Sequence, residues 1–348
     1  MRSERAAAFA PGRVNLIGEH TDYNQGLALP FAIAEGVTVQ ARATNGEIVS
    51  AHAVDLDEDD EFPLREPPGV EGWRAFVRGA VAECGRAGFE VPAADLRIEG
   101  DVPRGSGLSS SAALEVALCL ALLGLVGETC NDRIALARLC ARVENDWVGA
   151  QTGMLDQLAS LFGAAEGALL IDFRTLAIVP VPLRLGGWRF AVVDSGERHA
   201  NASSGYNERR AECERARTLL GIDSLRDASA AQVAGLPQPL RARAEHVLGE
   251  NARVGEAVAA LRAEDLPAVG TLLDASHASL RDLYEVSTPP VERAVTRLRE
   301  RGAAGARLMG GGFGGSVLGL FAPGVPTPNG AREVRPGPGA HLLPDAID

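Results

Sequence analysis

The stretch Gly105-Ser106-Gly107-Leu108-Ser109-Ser110-Ser111-Ala112 runs straight into an apolar segment at residues 113–125. Two glycines let backbone N–H groups approach a ligand, and the three serines at the end of the stretch offer hydroxyls and N-caps. The dipole of the helix that follows favours negative charge at its start. This is the composition of an anion site, with phosphate as the natural occupant. Taken alone, the loop reads equally well as an ordinary capped turn.

Two further groups could do chemistry. Gly18-Glu19-His20-Thr21-Asp22-Tyr23-Asn24 packs carboxylates, an imidazole and hydroxyls between strand signals, with Arg13 close by. Glu144 ends a helical pattern and Asp156 lies on the turn beyond it, so the two carboxylates could converge on one cleft. Their bland readings are a surface helix residue for Glu144 and an N-cap for Asp156.

Composition narrows the possibilities. A chain of 348 residues is expected to form two domains, and 46% hydrophobic with 23% charged residues suits a soluble globular enzyme. A net charge of −12 argues against nucleic acid and anionic membrane surfaces as partners. All 34 basic side chains besides histidine are arginines. With no lysine there is no Walker lysine and no Schiff-base lysine. Phosphate must then be held by backbone amides, helix dipole, arginine and metal.

The five cysteines, Cys84, Cys119, Cys130, Cys140 and Cys213, form no CxxC pair and read as reduced core residues of a cytoplasmic protein. The charged start of the chain lacks the apolar region of a signal peptide. The apolar run at 112–126 is interrupted by Glu115 and is too short for a membrane span.

The elements that must position these groups follow from periodicity. Residues 9–17, 27–33 and 37–43 read as strands, with Gly26 and Gly36 as breaks, which puts the Glu19 cluster on a loop. Residues 73–87 carry helical spacing, 96–102 form a strand feeding the glycine loop, and 112–125 form a buried helix. Residues 132–148 read as one further helix. Helical patterns dominate 207–220, 240–261, 266–280 and 288–301. A second glycine cluster, Gly310 to Gly315, lies between strands at 306–308 and 317–321. Its glycines point to a backbone passing close to a ligand or to the first glycine loop.

Three segments together match a family pattern. Pro11-Gly12-Arg13-Val14-Asn15-Leu16-Ile17-Gly18-Glu19-His20-Thr21-Asp22-Tyr23-Asn24 resembles the galactokinase signature. Residues 102–112 resemble the phosphate loop of the GHMP small-molecule kinases, and Gly310 to Gly315 their third motif. The resemblance implies an α+β, two-domain GHMP kinase fold with the active site in the cleft between domains. Residues 1–175 would form a ribosomal-S5-like βαβ domain, and residues 176–348 a ferredoxin-like α+β domain. It further implies ATP-dependent phosphorylation of galactose at its anomeric hydroxyl, in a cytoplasmic enzyme expected to be a monomer.

By the same resemblance, Glu19, His20, Thr21, Asp22 and Tyr206 would bind the sugar, and Asp156 would face its C1 hydroxyl with Arg13 beside it. Gly105, Ser106, Gly107, Leu108, Ser109, Ser110 and Ser111 would wrap the ATP phosphates, and Ser111 with Glu144 would hold Mg²⁺. The residue types suit these roles, since transfer to a hydroxyl needs alignment, charge neutralisation and a carboxylate to take the proton. An arginine beside Asp156 would favour its ionised form. Met309 stands where the family usually has threonine, and the connection after Phe321 is short. Three alternatives remain: a kinase for N-acetylgalactosamine or galacturonate, a non-catalytic galactose and ATP sensor, and an oxidoreductase. The last lacks GxGxxG with an acidic residue about 20 positions on.

Overall fold

A computed structural model of the chain describes residues 3–102, 107–149, 152–197 and 202–344. Gly105 and Ser106 of the phosphate loop lie outside the described residues. The first strands are β1 (Arg5–Asn15), β2 (Leu27–Ala28), β3 (Pro30–Ala43), β4 (Ile48–Ala53) and β5 (Glu58–Pro63). Helix α1 (Trp73–Arg86) and strand β6 (Ala94–Gly100) lead to α2 (Ser110–Leu125), α3 (Arg133–Arg142) and α4 (Leu155–Phe162). Strands β7 (Gly167–Asp172), β8 (Ala177–Pro182) and β9 (Arg189–Asp194) follow. The helices α5 (Ala202–Leu220), α6 (Ala230–Ala234), α7 (Leu240–Arg262), α8 (Leu266–Asp282) and α9 (Pro289–Glu300) come next. The chain ends through β10 (Ala303–Leu308), β11 (Ser316–Phe321), β12 (Arg332–Val334) and β13 (His341–Leu342).

The strands form a mixed sheet in the order β13-β1-β3-β6-β4-β5, an antiparallel sheet β10-β11-β9-β12 and a small sheet β2-β7-β8. Helix α2 is apolar on all sides and lies against β1 and β3, within a core shared with α1, α3 and α4. The short last strand β13 returns to pair with β1 at Ala8 and Phe9. Strand β3 runs through Gly36 without a break, because Gly36 pairs with Pro11 of β1 and the pairing with β6 begins at Val37. Among the described residues no helix is long and apolar enough to cross a membrane.

Two local irregularities serve the cleft. The register of β1 against β3 shifts between Pro11 and Arg13, a bulge of the kind that re-aims a side chain. Gly12 sits in it because a Cβ there would lie 2.5 Å from the carbonyl oxygen of Leu108. The segment at 132–148 is not one regular helix: α3 stops at Arg142 and residues Val143–Val148 form a π turn. Such wide turns are common at functional sites. This one contains Glu144, and α1 packs tightly against it at Gly79, where a Cβ would come within 2.8 Å of the Trp147 ring.

Candidate active site

A cleft of about 340 Å³ is lined by Arg13, Asn15, Glu19, His20, Asp22, Thr152, Gly153, Leu155, Asp156, Tyr206, Asn207 and Gly310 to Gly312. The bulged end of β1 supplies Arg13 and Asn15, two residues apart and so on one face of the strand. The loop after β1 gives Glu19, His20 and Asp22, the start of α4 gives Asp156, α5 gives Tyr206, and the loop between β10 and β11 gives the glycines. The Glu19 segment and the second glycine segment therefore meet here, and the glycine-serine loop joins them through its bonds to Arg13 and Asp156.

At one end, Arg13 grips Asp156 with a two-pronged ion pair, Nε to Oδ1 at 2.7 Å and Nη2 to Oδ2 at 2.8 Å. Its remaining nitrogen, Nη1, donates to the carbonyl of Gly107 at 2.6 Å, and its backbone N–H donates to the carbonyl of Leu108 at 3.0 Å. The Ser109 hydroxyl also donates to Asp156 Oδ2. Ser109 adopts a left-handed backbone with φ of 56° and makes no side-chain cap to α2. Its hydroxyl, read from sequence as an N-cap, is thus committed to the carboxylate. Gly107 has φ of +68°, and a Cβ on it would lie 3.6 Å from the Cβ of Ser316. Ser316, directly after the second glycine segment, thus passes beside the first.

Ser110 opens α2 and Ser111 lies one residue further on. The Ser111 hydroxyl donates to Glu144 Oε1 at 3.3 Å, while Thr152 and Gln157 donate to Oε2 at 2.7 and 3.0 Å. Gln157 also donates to Glu115 Oε1 at 2.6 Å, so the lone charge of α2 belongs to this buried polar network. Burial raises the Glu144 carboxyl, and the negative Asp156 adds to it; burial, then Glu144, raises Glu115 well above the usual carboxylate range. The carboxyls of Glu115, Glu144 and Asp156 thus crowd together, and Arg13 is bound to Asp156. The nearest oxygens of Ser111 and Glu144 are hard donors with a long, weak bond between them, a donor set that would fit a small divalent cation.

The other end is built for hydroxyls. Asp22 lies near Gly153, whose added Cβ would stand 2.0 Å from Asp22 Oδ2. Burial, reinforced by Asp156, raises Asp22 to about 6. Glu19 takes Asn15 Nδ2 on Oε2 at 2.5 Å and the Gly310 backbone N–H on Oε1 at 2.9 Å. Burial lowers His20 to about 3 with the neighbouring His246 adding to it, so its ring is neutral. The Nδ1 of His20 lies 2.7 Å from the Tyr23 hydroxyl, which meets the Tyr284 hydroxyl at 2.9 Å. All three tyrosines of the chain ring this imidazole: Tyr284, Tyr206 and Tyr23 have centroids 4.6, 5.4 and 5.9 Å away.

Thr21 stands behind the cleft wall. It is fully buried, and its hydroxyl points at the carbonyls of Gly18 and Leu27, at 2.8 and 2.7 Å, closing the turn that presents Glu19 and Asp22. Met309 is likewise buried, packed with Val14 and Leu16 in an apolar cluster. Sequence reasoning did not single out Asn15, Gly153, Asn207, Tyr284 or Arg307. Only Asn15 carried a signal, its spacing of two from Arg13 on a strand.

Comparison with known proteins finds similarity along most of the chain. Residues 75–164 match the GHMP kinases N terminal domain, residues 257–335 the GHMP kinases C terminal domain, and residues 2–43 the galactokinase galactose-binding signature. A galactokinase of Mycobacterium tuberculosis is 45% identical over 318 residues, covering 89% of this chain and 87% of that protein. A galactokinase of Roseiflexus is 45% identical over 327 residues, covering 89% and 82%. The crystal structure of Lactococcus lactis galactokinase complexed with galactose superposes with a TM-score of 0.89 at 34% identity, covering 98% of this chain and 96% of that one. Methanococcus jannaschii mevalonate kinase shares the fold, with a TM-score of 0.69 at 19% identity. With three family models matched along it and relatives 45% identical over most of their length, the chain belongs to the galactokinase family.

Proposed function

We propose that the chain transfers the terminal phosphoryl group of ATP to the anomeric hydroxyl of galactose, giving galactose 1-phosphate and ADP. The observation that carries this reading is the Arg13–Asp156 pair, tied by Ser109 and Gly107 to the phosphate loop and facing a pocket of hydrogen-bonding side chains. A phosphoryl donor and a sugar acceptor would meet there.

The roles follow from position. The backbone of the glycine loop and the start of α2 receive the ATP phosphates, because helix N-terminal amides attract anions. Ser111 and Glu144 would hold Mg²⁺, which would supply neutralisation of phosphate charge when bound. The Asp156 carboxylate accepts a hydrogen bond from the C1 hydroxyl and receives its proton during transfer. The Arg13 fork fixes that carboxylate in one orientation and places positive charge beside the transferring group. Glu19, Asp22, His20 and Tyr206 pair the remaining hydroxyls, since a polar group left unpaired in a closed site costs about 1–3 kcal/mol. Neutral His20 brings its buried Nε2 to the cleft wall beside the Gly311 backbone. Cys84, Cys119, Cys140 and Cys213 are buried and unbridged, in keeping with work in a reducing cytoplasm.

The test is ADP release by the purified protein across a sugar panel containing galactose, N-acetylgalactosamine and galacturonate. Galactose should be the preferred acceptor and the product should carry phosphate at C1. Release with another sugar but not with galactose would refute the assignment.

A further inference from the structure

Arg307 lies on β10, three residues before Gly310, and is completely buried. A guanidinium in such a place is very costly unless its charge and N–H groups are engaged. Its engagement is with the sugar segment. Nη1 donates to the backbone carbonyls of Asn15 and Leu16 at 3.1 and 2.9 Å, and Nη2 forms an ion pair with Glu19 Oε2 at 2.6 Å without hydrogen-bond alignment, while Nε finds no hydrogen-bond partner among the described residues.

We propose that Arg307 is a positioning residue for galactose recognition, fixing the Glu19 carboxylate so that its Oε1 oxygen is the one left for a sugar hydroxyl. The inference rests on the reading of Glu19 as a sugar contact. A carboxylate oxygen takes about two donors. Oε2 already receives Asn15 Nδ2 at 2.5 Å and the Arg307 charge, whereas Oε1 receives only the Gly310 N–H at 2.9 Å. Oε1 is the oxygen away from the Arg307 cation, and Glu19 lines the cleft. Arg307 also draws the end of β1 and the Glu19 side chain toward the strand that leads into the second glycine segment.

Other groups around Glu19 do not substitute for this cation. From α7, His246 approaches the Glu19 carbonyl at 3.2 Å, and burial lowers its ring to about 4. Glu250 on α7 is a second buried carboxylate, bonded by the Gly18 N–H, Ser276 and Arg253. From α8, His277 sits near Arg307 but is turned to Glu292 at 3.1 Å. His20 beside Glu19 is neutral. Burial raises the Glu19 carboxyl and Arg307 is the main influence opposing that rise.

The experiment compares Arg307→Met, Arg307→Lys, Glu19→Gln and the double variant R307M/E19Q by galactose and ATP kinetics across pH. R307M should raise the galactose KM about 10–100-fold, the equivalent of a hydrogen bond to a charged group, and leave the ATP KM within about threefold. It should also carry the acid limb of kcat/KM for galactose to higher pH. R307K, which keeps the charge but not the fork, should recover part of both. In the E19Q background, R307M should cost less than about threefold more. Additive losses in the double variant, or a fall in kcat and both affinities with the acid limb unmoved, would overturn the proposal. If R307M fails to fold, E19Q against R307M/E19Q decides the matter, since the double variant buries no lone carboxylate. E19Q with an unchanged galactose KM would remove the reading of Glu19; E19Q impaired with R307M normal would remove Arg307 alone.

Discussion

Arg13 and Asp156 stand 143 positions apart in the chain and meet in a two-pronged ion pair at 2.7 and 2.8 Å. The planar fork of arginine meets the two carboxylate oxygens while its third nitrogen binds Gly107. Arg13→Lys keeps the charge and loses this geometry. Its kcat should fall about 100-fold with a smaller change in galactose KM. Steady-state kinetics with unaltered kcat would contradict the placement.

Asp156→Asn keeps shape and removes the acceptor charge. Turnover should drop by about 10²–10⁴ while galactose still binds, measured by calorimetry with the inactive variant. Near-normal turnover would dismiss Asp156 from the chemistry.

Asp22 gives a pH dependence with a defined sign. Its carboxyl is ordinarily near 3.8 and burial raises it to about 6. Between those values the folded protein holds a proton that the unfolded chain has released. The stability contributed by Asp22 is therefore complete below its ordinary value and is lost as pH rises through about 6. Asp22→Asn should melt roughly 3 °C higher than wild type at about pH 8 and equally at about pH 3. Its galactose affinity should be poor at both. In the wild type, kcat/KM for galactose should decline as pH falls below about 6, where Asp22 ceases to be an anionic acceptor.

Gly153 is the neighbour that leaves Asp22 its room. A Cβ there would overlap Asp22 Oδ2 at 2.0 Å, so Gly153→Ala must displace the carboxylate. Galactose KM should rise about tenfold or more, with ATP KM spared. A fall in ATP affinity alone would put Asp22 at the wrong end of the cleft.

Glu144→Gln should raise the Mg²⁺ concentration needed for half-maximal rate. The buried amide would still bond Thr152 but would offer less charge to a cation. A rate curve in Mg²⁺ identical to wild type would remove Glu144 from the metal.

The parts of the site visible in the sequence were those with a local signature. Glu19 and Asp22 sit in a dense polar run, and Ser109 and Ser111 in a glycine-serine loop. Arg307 had no such mark: it is one of 34 basic residues and lies in an apolar strand, where its partners come from 291 and 292 positions away. Glu115 showed only as a break in an apolar run, and its meaning depends on Gln157 from another helix. The π turn at Val143–Val148 was read as ordinary helix because its side-chain spacing still looks helical; its close packing against Gly79 is a tertiary fact. Ser109 was legible as a hydroxyl at a helix start, but its choice of Asp156 over the helix backbone required both motifs to be in place.

Because Tyr23, Tyr206 and Tyr284 are the chain's entire complement and all surround His20, the protein carries a spectroscopic reporter confined to the sugar end of its cleft. Fluorotyrosine incorporation would yield three ¹⁹F resonances and no background from elsewhere in the molecule. Sugar occupancy could then be followed site by site during turnover, without any engineered label.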